Sequence, residues 1–132
     1  MITFDHVTKS YNNNTIFSNL CLSLYPNNIY GIVGDNGSGK TVLLKLLCGL
    51  ALCDLGTIKY QGKTLGNDIE HIPGTSALIE SPGFLPFLSG SANLKLLADL
   101  DRIPAQRVKE VMYEMGLDYK DKKKVASYSL GM

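Results

Sequence analysis

The sequence predicts an α/β fold in which antiparallel strands come before a parallel core and a block of helices follows it. A short apolar run at 29–33 leads through a glycine-rich loop into a helix-like repeat that ends near Leu50. Apolar and polar residues alternate over residues 1–7 and 16–24, a pattern typical of half-buried strands. From about Phe84 onward, apolar residues recur at helical spacing.

The first third of the chain is expected to form three strands and a helix. Residues 1–7 fit an edge strand and residues 16–24 a second strand, with the turn-prone cluster Asn12-Asn13-Asn14 between them. Residues 29–33 are mostly apolar and β-branched, as expected for a core strand of a parallel sheet. The helix after the glycine loop is predicted from the spacing of Val42, Leu43, Leu46, Leu47 and Leu50.

Two more strands are expected before the helical block. Residues 56–60 fit the first, and Gln61-Gly62-Lys63 turns the chain back. Residues 76–79 fit the second, which arrives at Glu80. The stretch Ser81-Pro82-Gly83 then interrupts regular structure.

The helical block is expected to contain two helices. Ser91 is predicted to cap the first, whose inward face comprises Leu94, Leu97 and Ala98. Pro104 is predicted to begin the second, and Gly116 to end it. The apolar face of the second helix comprises Val108, Val111, Met112 and Met115.

Composition restricts the function classes. The chain has 132 residues, 45% of them hydrophobic, and a net charge of +1, so no basic surface predicts a nucleic-acid partner. No apolar run approaches the roughly 20 residues of a membrane span, and no signal peptide is visible. Cys48 and Cys53 flank a helix end and lack metal-ligand spacing, and all three cysteines, Cys21 included, are interpreted as reduced core or near-surface residues of a cytosolic protein.

The glycine-rich loop carries the chemistry. Gly34, Gly39, Lys40 and Thr41 have the spacing G-x-x-x-x-G-K-[ST] of a phosphate-binding loop. Glycines let backbone N–H groups approach phosphates, the lysine reaches the β- and γ-phosphates, and the hydroxyl binds Mg²⁺. The alternative is a turn that only joins a strand to a helix, and the flanking patterns favour the phosphate loop. The expected contacts are Gly34, Asn36, Gly37, Ser38, Gly39, Lys40 and Thr41.

Together with three further segments, this loop resembles the nucleotide-binding subunit of an ABC transporter over the whole chain. The loop GDNGSGKT corresponds to the Walker A motif. Tyr11 falls where the family has an aromatic residue that stacks on adenine, although a half-buried turn tyrosine is the alternative. The resemblance implies a P-loop NTPase (ABC ATPase) core, with a RecA-like part at 1–83 and a helical subdomain at 84–132.

The second segment, ALIESPGF, resembles the Q-loop, with Glu80 in place of the usual glutamine. In this respect it is similar to the subgroup that exports bacitracin or lantibiotics. The resemblance implies that Glu80 lies near Mg²⁺ and the attacking water, as a catalytic residue with Lys40 and a metal ligand with Thr41. The alternative is a Glu80 side chain that points to solvent.

The third segment, Tyr128-Ser129-Leu130-Gly131-Met132, corresponds to the ABC signature L-S-G-G-Q. Ser129 and Gly131 match it, whereas Leu130 and Met132 do not. In the family, the signature serine and glycine bind the γ-phosphate held by a second ATP-binding subunit. The resemblance therefore implies a head-to-tail dimer that encloses two ATP molecules.

No apolar strand that ends in Asp-Glu follows the signature in this sequence. We therefore expect an N-terminal fragment that ends before the Walker B motif. Such a fragment would bind ATP and hydrolyse it inefficiently, because phosphoryl transfer to water needs a positioned nucleophile. His6 and His71 are interpreted as ordinary surface or loop histidines.

The resemblance implies an ATPase subunit that couples ATP and Mg²⁺ to export, with a peptide antibiotic as the candidate substrate. It implies a transmembrane permease as a partner and a cytoplasmic location on the inner face of the membrane. A soluble nucleotide switch that acts on the ribosome is an alternative, although that class carries two such domains in tandem. A small P-loop kinase is a further alternative, which the order of Tyr11, loop, Glu80 and helical insert disfavours.

Overall fold

The computed structural model describes residues 1–80, 83–129 and 131–132. Its chain divides into two units, Met1–Ser81 and Pro82–Met132. Three residues with sequence-based interpretations lie outside the described residues: Ser81 and Pro82 in the expected interruption, and Leu130 in the signature segment.

The first unit contains a four-stranded antiparallel sheet in the order β2-β1-β3-β4. Its strands are β1 (Ile2–Tyr11), β2 (Asn14–Leu24), β3 (Leu55–Tyr60) and β4 (Lys63–Thr64). Asn12 and Asn13 join β1 to β2 with φ angles of 47° and 63°, the left-handed conformation that tight hairpin turns require. The prediction of an edge strand at 1–7 is wrong, because β3 pairs with the side of β1 that β2 leaves open.

The core of this unit lies between the sheet and helix α1 (Lys40–Leu47). Phe4 and Val7 of β1 and Ile58 of β3 are buried against Leu46 of α1. Leu65 and Ile72, from the chain after β4, complete the buried cluster. The alternating pattern of the strands therefore places one face of the sheet under the helix that follows the glycine loop.

The strands expected at 29–33 and 76–79 do not form, and this is a correction to the sequence-based prediction. Both segments lack regular secondary structure, and Ile29 and Val33 are almost fully exposed. A strand exists only when a neighbour completes its hydrogen-bond ladder. Within the described ranges, no strand pairs with either segment.

The second unit packs helix α2 (Gly90–Leu100) against helix α3 (Ala105–Glu114), and a short 3₁₀ helix (Val125–Ser127) follows. Ala98, Val108 and Met112 form its core, with Leu94, Leu117 and Tyr119 around them. The longest helix in the described part of the chain has 11 residues, so none there could cross a bilayer.

Two details of the helical prediction need correction. Ser89 caps α2, because its Oγ accepts the N–H of Ala92 at 3.2 Å, whereas Ser91 lies inside the helix. Leu97 and Met115 are exposed and do not join the core. Pro104 and Gly116 flank α3 as predicted, and Gly116 ends it with a left-handed φ of 72°.

Candidate phosphate-binding site

The predicted phosphate loop turns sharply between the extended segment that precedes it and α1. Ser38 N–H donates to the carbonyl oxygen of Asp35 at 3.2 Å, which closes the first turn. Gly37 and Gly39 have φ angles of 84° and 94°, a region that L side chains rarely adopt. The loop conformation therefore depends on glycine at these two positions.

The Lys40 side chain folds back over the loop that precedes it. Its ammonium donates to the carbonyl oxygens of Gly34 and Asp35, at 2.7 and 2.6 Å. Both acceptors belong to the first two residues of the motif. The only lysine of the motif thus holds its charge beside the loop backbone.

Helix α1 begins directly after the loop without a side-chain cap. Gly39 is the N-cap, and the described first turn contains no acidic side chain. The first N–H groups of a helix have no partner within it, and the helix dipole is positive at this end. Thr41 lies in the same turn and is half-buried. This end of α1 can therefore accept an anion.

The loop packs closely against strand β2. A Cβ added at Gly39 would lie 2.6 Å from Cγ2 of Ile16 and 3.0 Å from Cζ of Phe17. Phe17 pairs with Lys9 on β1, and this pairing continues to the hairpin tip, where Tyr11 pairs with Asn14. The phosphate loop therefore packs against the β1–β2 hairpin, which carries Tyr11 at its tip.

Tyr11 is 44% exposed, and a lysine side chain lies over its ring. The Lys9 ammonium lies 4.9 Å from the centre of the Tyr11 ring. The Asp54 carboxylate holds this lysine at 2.7 Å and accepts Ser10 N–H at 2.7 Å. Asp54 raises the pKa of Lys9, and the hydrogen bonds from Lys9 and Ser10 lower the pKa of Asp54.

Sequence reasoning missed the contact of Asp54 with Lys9, the lysine that lies against the Tyr11 ring. They come from separate parts of the chain, β1 and the segment before β3, so no local spacing relates them. Their contact follows from the antiparallel pairing of β1 with β3, which reaches Thr8 and Leu55.

The other predicted site residues lie at the ends of the two units. Glu80 is exposed near the end of the first unit and has a left-handed φ of 66°. Ser129 and Gly131 are exposed and belong to the second unit. The Ser129 carbonyl oxygen accepts Met132 N–H at 3.1 Å, and a Cβ at Gly131 would have no neighbour within 4 Å.

The family described as ABC transporter matches residues 17–132, which include the loop, Glu80 and the signature segment. The ATP-binding cassette MJ0796, solved as a dimer in a post-hydrolysis state bound to ADP and Pi, has a similar fold. The TM-score is 0.78 and the identity 17%, over 98% of this chain and 64% of that one.

Named relatives align along the whole chain. The bacitracin transport ATP-binding protein BcrA of Enterococcus faecalis is 35% identical, and 44% of its length is covered. The ABC transporter ATP-binding protein YybJ of Bacillus subtilis (strain 168) is 33% identical, with 61% covered. The lantibiotic transport ATP-binding protein SrtF of Streptococcus pyogenes is 29% identical, with 57% covered. The chain therefore spans about half the length of these relatives.

Proposed function

This chain belongs to the ABC transporter family, as its sequence resemblance predicted, and we propose that it binds Mg·ATP as part of a subunit that drives export. The geometry of the Lys40 side chain is the observation that carries the proposal. Its ammonium already lies against the loop backbone, within 2.7 Å of two loop carbonyls. Phosphate oxygens would compete for the same donor, as charge-assisted acceptors stronger than neutral carbonyls.

The residues of the loop fit the nucleotide chemically. Glycine backbone N–H groups and the uncapped start of α1 supply neutral donors, and Lys40 supplies a charge. Mg²⁺ usually keeps waters and takes one or two protein oxygens besides phosphates, which the Thr41 hydroxyl and the Glu80 carboxylate would provide. When bound, the ion would neutralise phosphate charge. The proposed nucleotide contacts are Tyr11, Gly34, Asn36, Gly37, Ser38, Gly39, Lys40 and Thr41.

The hairpin would supply the adenine side of the site. One face of an exposed tyrosine ring can stack on a base, a contact worth about 1–3 kcal/mol. Lys9 donates to Asp54 and lies 4.9 Å from the centre of the Tyr11 ring, so it would restrict where that ring can move. We therefore assign adenine stacking to Tyr11 and its positioning to Lys9 and Asp54.

Export of a peptide antibiotic is the proposed role of the whole protein. It is supported by the two relatives whose names include bacitracin and lantibiotic transport. The proposed partners are a transmembrane permease and a second ATP-binding subunit, whose ATP would contact Ser129 and Gly131. This role places the protein on the inner face of the membrane and is better supported than a ribosomal nucleotide switch.

Hydrolysis by the 132-residue chain alone should be slow. Its sequence contains the phosphate loop but no apolar strand ending in Asp-Glu, so it lacks the expected groups that activate water. We propose that the chain binds ATP in the presence of Mg²⁺ without efficient turnover. Phosphate release by the purified chain, compared with the Lys40→Ala variant, measures this directly, and robust turnover by the parent chain would contradict it.

Calorimetry of Mg·ATP binding tests the proposed site. Lys40→Ala should weaken binding by about tenfold to a hundredfold, because a hydrogen bond to a charged group contributes about 1.5–3 kcal/mol. Lys45→Ala is the matched control, since Lys45 lies in the last turn of the same helix. Equal affinities for the two variants would contradict the assignment of Lys40.

A further inference from the structure

We propose that Asp5, His6 and Cys21 form a binding site for a zinc-like divalent ion on the outer face of the β1–β2 hairpin, the face opposite the buried core cluster. One potential ligand atom from each of the three side chains lies within 4.8 Å of the other two. All three residues are exposed. The site is separate from the proposed nucleotide contacts and does not depend on the proposed function.

A bulge in β1 places two consecutive side chains on one face. In a regular strand, neighbouring side chains point to opposite faces. Here Phe4 and Val7 both face the core, the register shifts between them, and Asp5 and His6 are both exposed. The left-handed φ of 50° at His6 is part of this bulge.

A glycine on the neighbouring strand accommodates the bulge. A Cβ at Gly56 would lie 2.3 Å from the His6 carbonyl oxygen and 2.5 Å from that of Asp5. Only glycine permits this close approach of β3 to the bulged backbone. The position of Asp5 and His6 is therefore fixed by the packing of two strands.

Cys21 reaches the same outer face from β2. Its neighbours Leu20 and Leu22 pack against the core cluster, so the alternation of the strand turns Cys21 outward. Leu20 pairs with Val7 and Leu22 with Phe4, which places Cys21 opposite the bulge.

A hydrogen bond orients the imidazole for a metal. His6 Nδ1 lies 2.6 Å from Asn19 Oδ1, and an amide oxygen can only accept, so Nδ1 carries the proton. In the neutral imidazole, the form that binds a metal, the lone pair is then on Nε2, which lies 3.7 Å from an Asp5 oxygen. Histidines that bind metals usually donate their second ring N–H in this way. The backbone N–H of Asn19 donates to Thr8 Oγ1 at 3.1 Å, and this hydrogen bond fixes the backbone of Asn19.

The donor set selects the class of ion. Thiolate, imidazole and carboxylate together are ligands of Zn²⁺, whereas Mg²⁺ and Ca²⁺ prefer oxygen alone. Tetrahedral zinc places its ligand atoms about 3.3–3.7 Å apart, given bonds of about 2.0–2.3 Å. The potential ligand atoms lie within 4.8 Å of one another, so they need to approach by at most about 1.5 Å, which rotation about side-chain bonds can supply. Water would complete the coordination.

Titration of the untagged, reduced chain with Zn²⁺, and with Co²⁺ as a spectroscopic probe, tests the site. We expect one equivalent to bind and cobalt to give a thiolate charge-transfer absorption. Cys21→Ser should abolish that absorption and weaken zinc binding at least tenfold, and His6→Gln should also weaken binding at least tenfold. Asn19→Ala should weaken binding about tenfold through the loss of imidazole orientation.

Three controls separate this site from other binding. Cys48→Ser and His71→Gln remove the same donor types elsewhere in the chain and should leave zinc affinity unchanged. Lys40→Ala should also leave zinc affinity unchanged, so a failure of the nucleotide proposal would be distinguishable from a failure of this one. Absence of zinc binding, or zinc affinity that Cys21→Ser leaves unchanged, would overturn the proposal.

Discussion

Replacement of Gly39 by alanine tests how the phosphate loop is held on the hairpin. The backbone at Gly39 has a φ of 94°, and a left-handed conformation costs alanine about 1–2 kcal/mol. The new Cβ would also lie 2.6 Å from Ile16 Cγ2, well inside the normal contact distance of about 3.5–4.0 Å. Overpacking of this kind costs about 1–3 kcal/mol. The expected total loss in the free energy of unfolding is about 2–5 kcal/mol.

Gly37→Ala is the matched variant for this prediction. Its φ of 84° imposes a similar backbone cost, but an added Cβ would have no neighbour within 4 Å. We therefore expect Gly37→Ala to lose only about 1–2 kcal/mol. Urea unfolding followed by circular dichroism measures both variants against the parent chain. Equal losses for the two variants would refute the inference that Gly39 packs against Ile16 and Phe17.

Three further predictions concern single side chains. Glu80→Gln should reduce the dependence of ATP affinity on Mg²⁺, since it removes a negative charge that repels metal-free nucleotide. An unchanged ratio of the affinities with and without Mg²⁺ would mean that the Glu80 carboxylate does not act on the nucleotide. Asp54→Asn should lower the urea midpoint at neutral pH. The hydrogen bond from Lys9 lowers the pKa of Asp54 below its ordinary value of 3.8. The ionised carboxylate therefore stabilises the fold above that ordinary value, and this stabilisation is lost as the pH falls through the lowered pKa. A midpoint difference that persists in acid would contradict this. Ser89→Ala should lower the stability of α2 by about 1 kcal/mol, because Ser89 caps the helix. Thermal unfolding should show a larger loss for Ser89→Ala than for Ser91→Ala, and the reverse order would support Ser91 as the cap.

The turn of the glycine-rich loop and the start of α1 were predictable because their requirements are local. The spacing of Gly39, Lys40 and Thr41 encodes a backbone that needs left-handed residues and a helix that begins at once. The same holds for the hairpin turn at Asn12 and Asn13, since asparagine tolerates positive φ. Patterns of this kind need no information about distant residues.

Features that depend on pairing between strands were not predictable. Residues 29–33 have the composition of a core strand, but composition cannot supply a neighbour that completes the ladder. The contact of Lys9 with Asp54 depends on the register of β1 and β3. The approach of His6 to Cys21 depends on a bulge that no sequence period indicates.

Assigned backbone amide NMR during a titration with Mg·ATP reports which N–H groups of the chain contact the phosphates. We expect the largest chemical-shift changes on residues 36–42, with smaller changes near Tyr11, and we expect Lys40→Ala to suppress both. Changes concentrated outside the loop, or none at saturating nucleotide, would mean that the loop does not bind the phosphates.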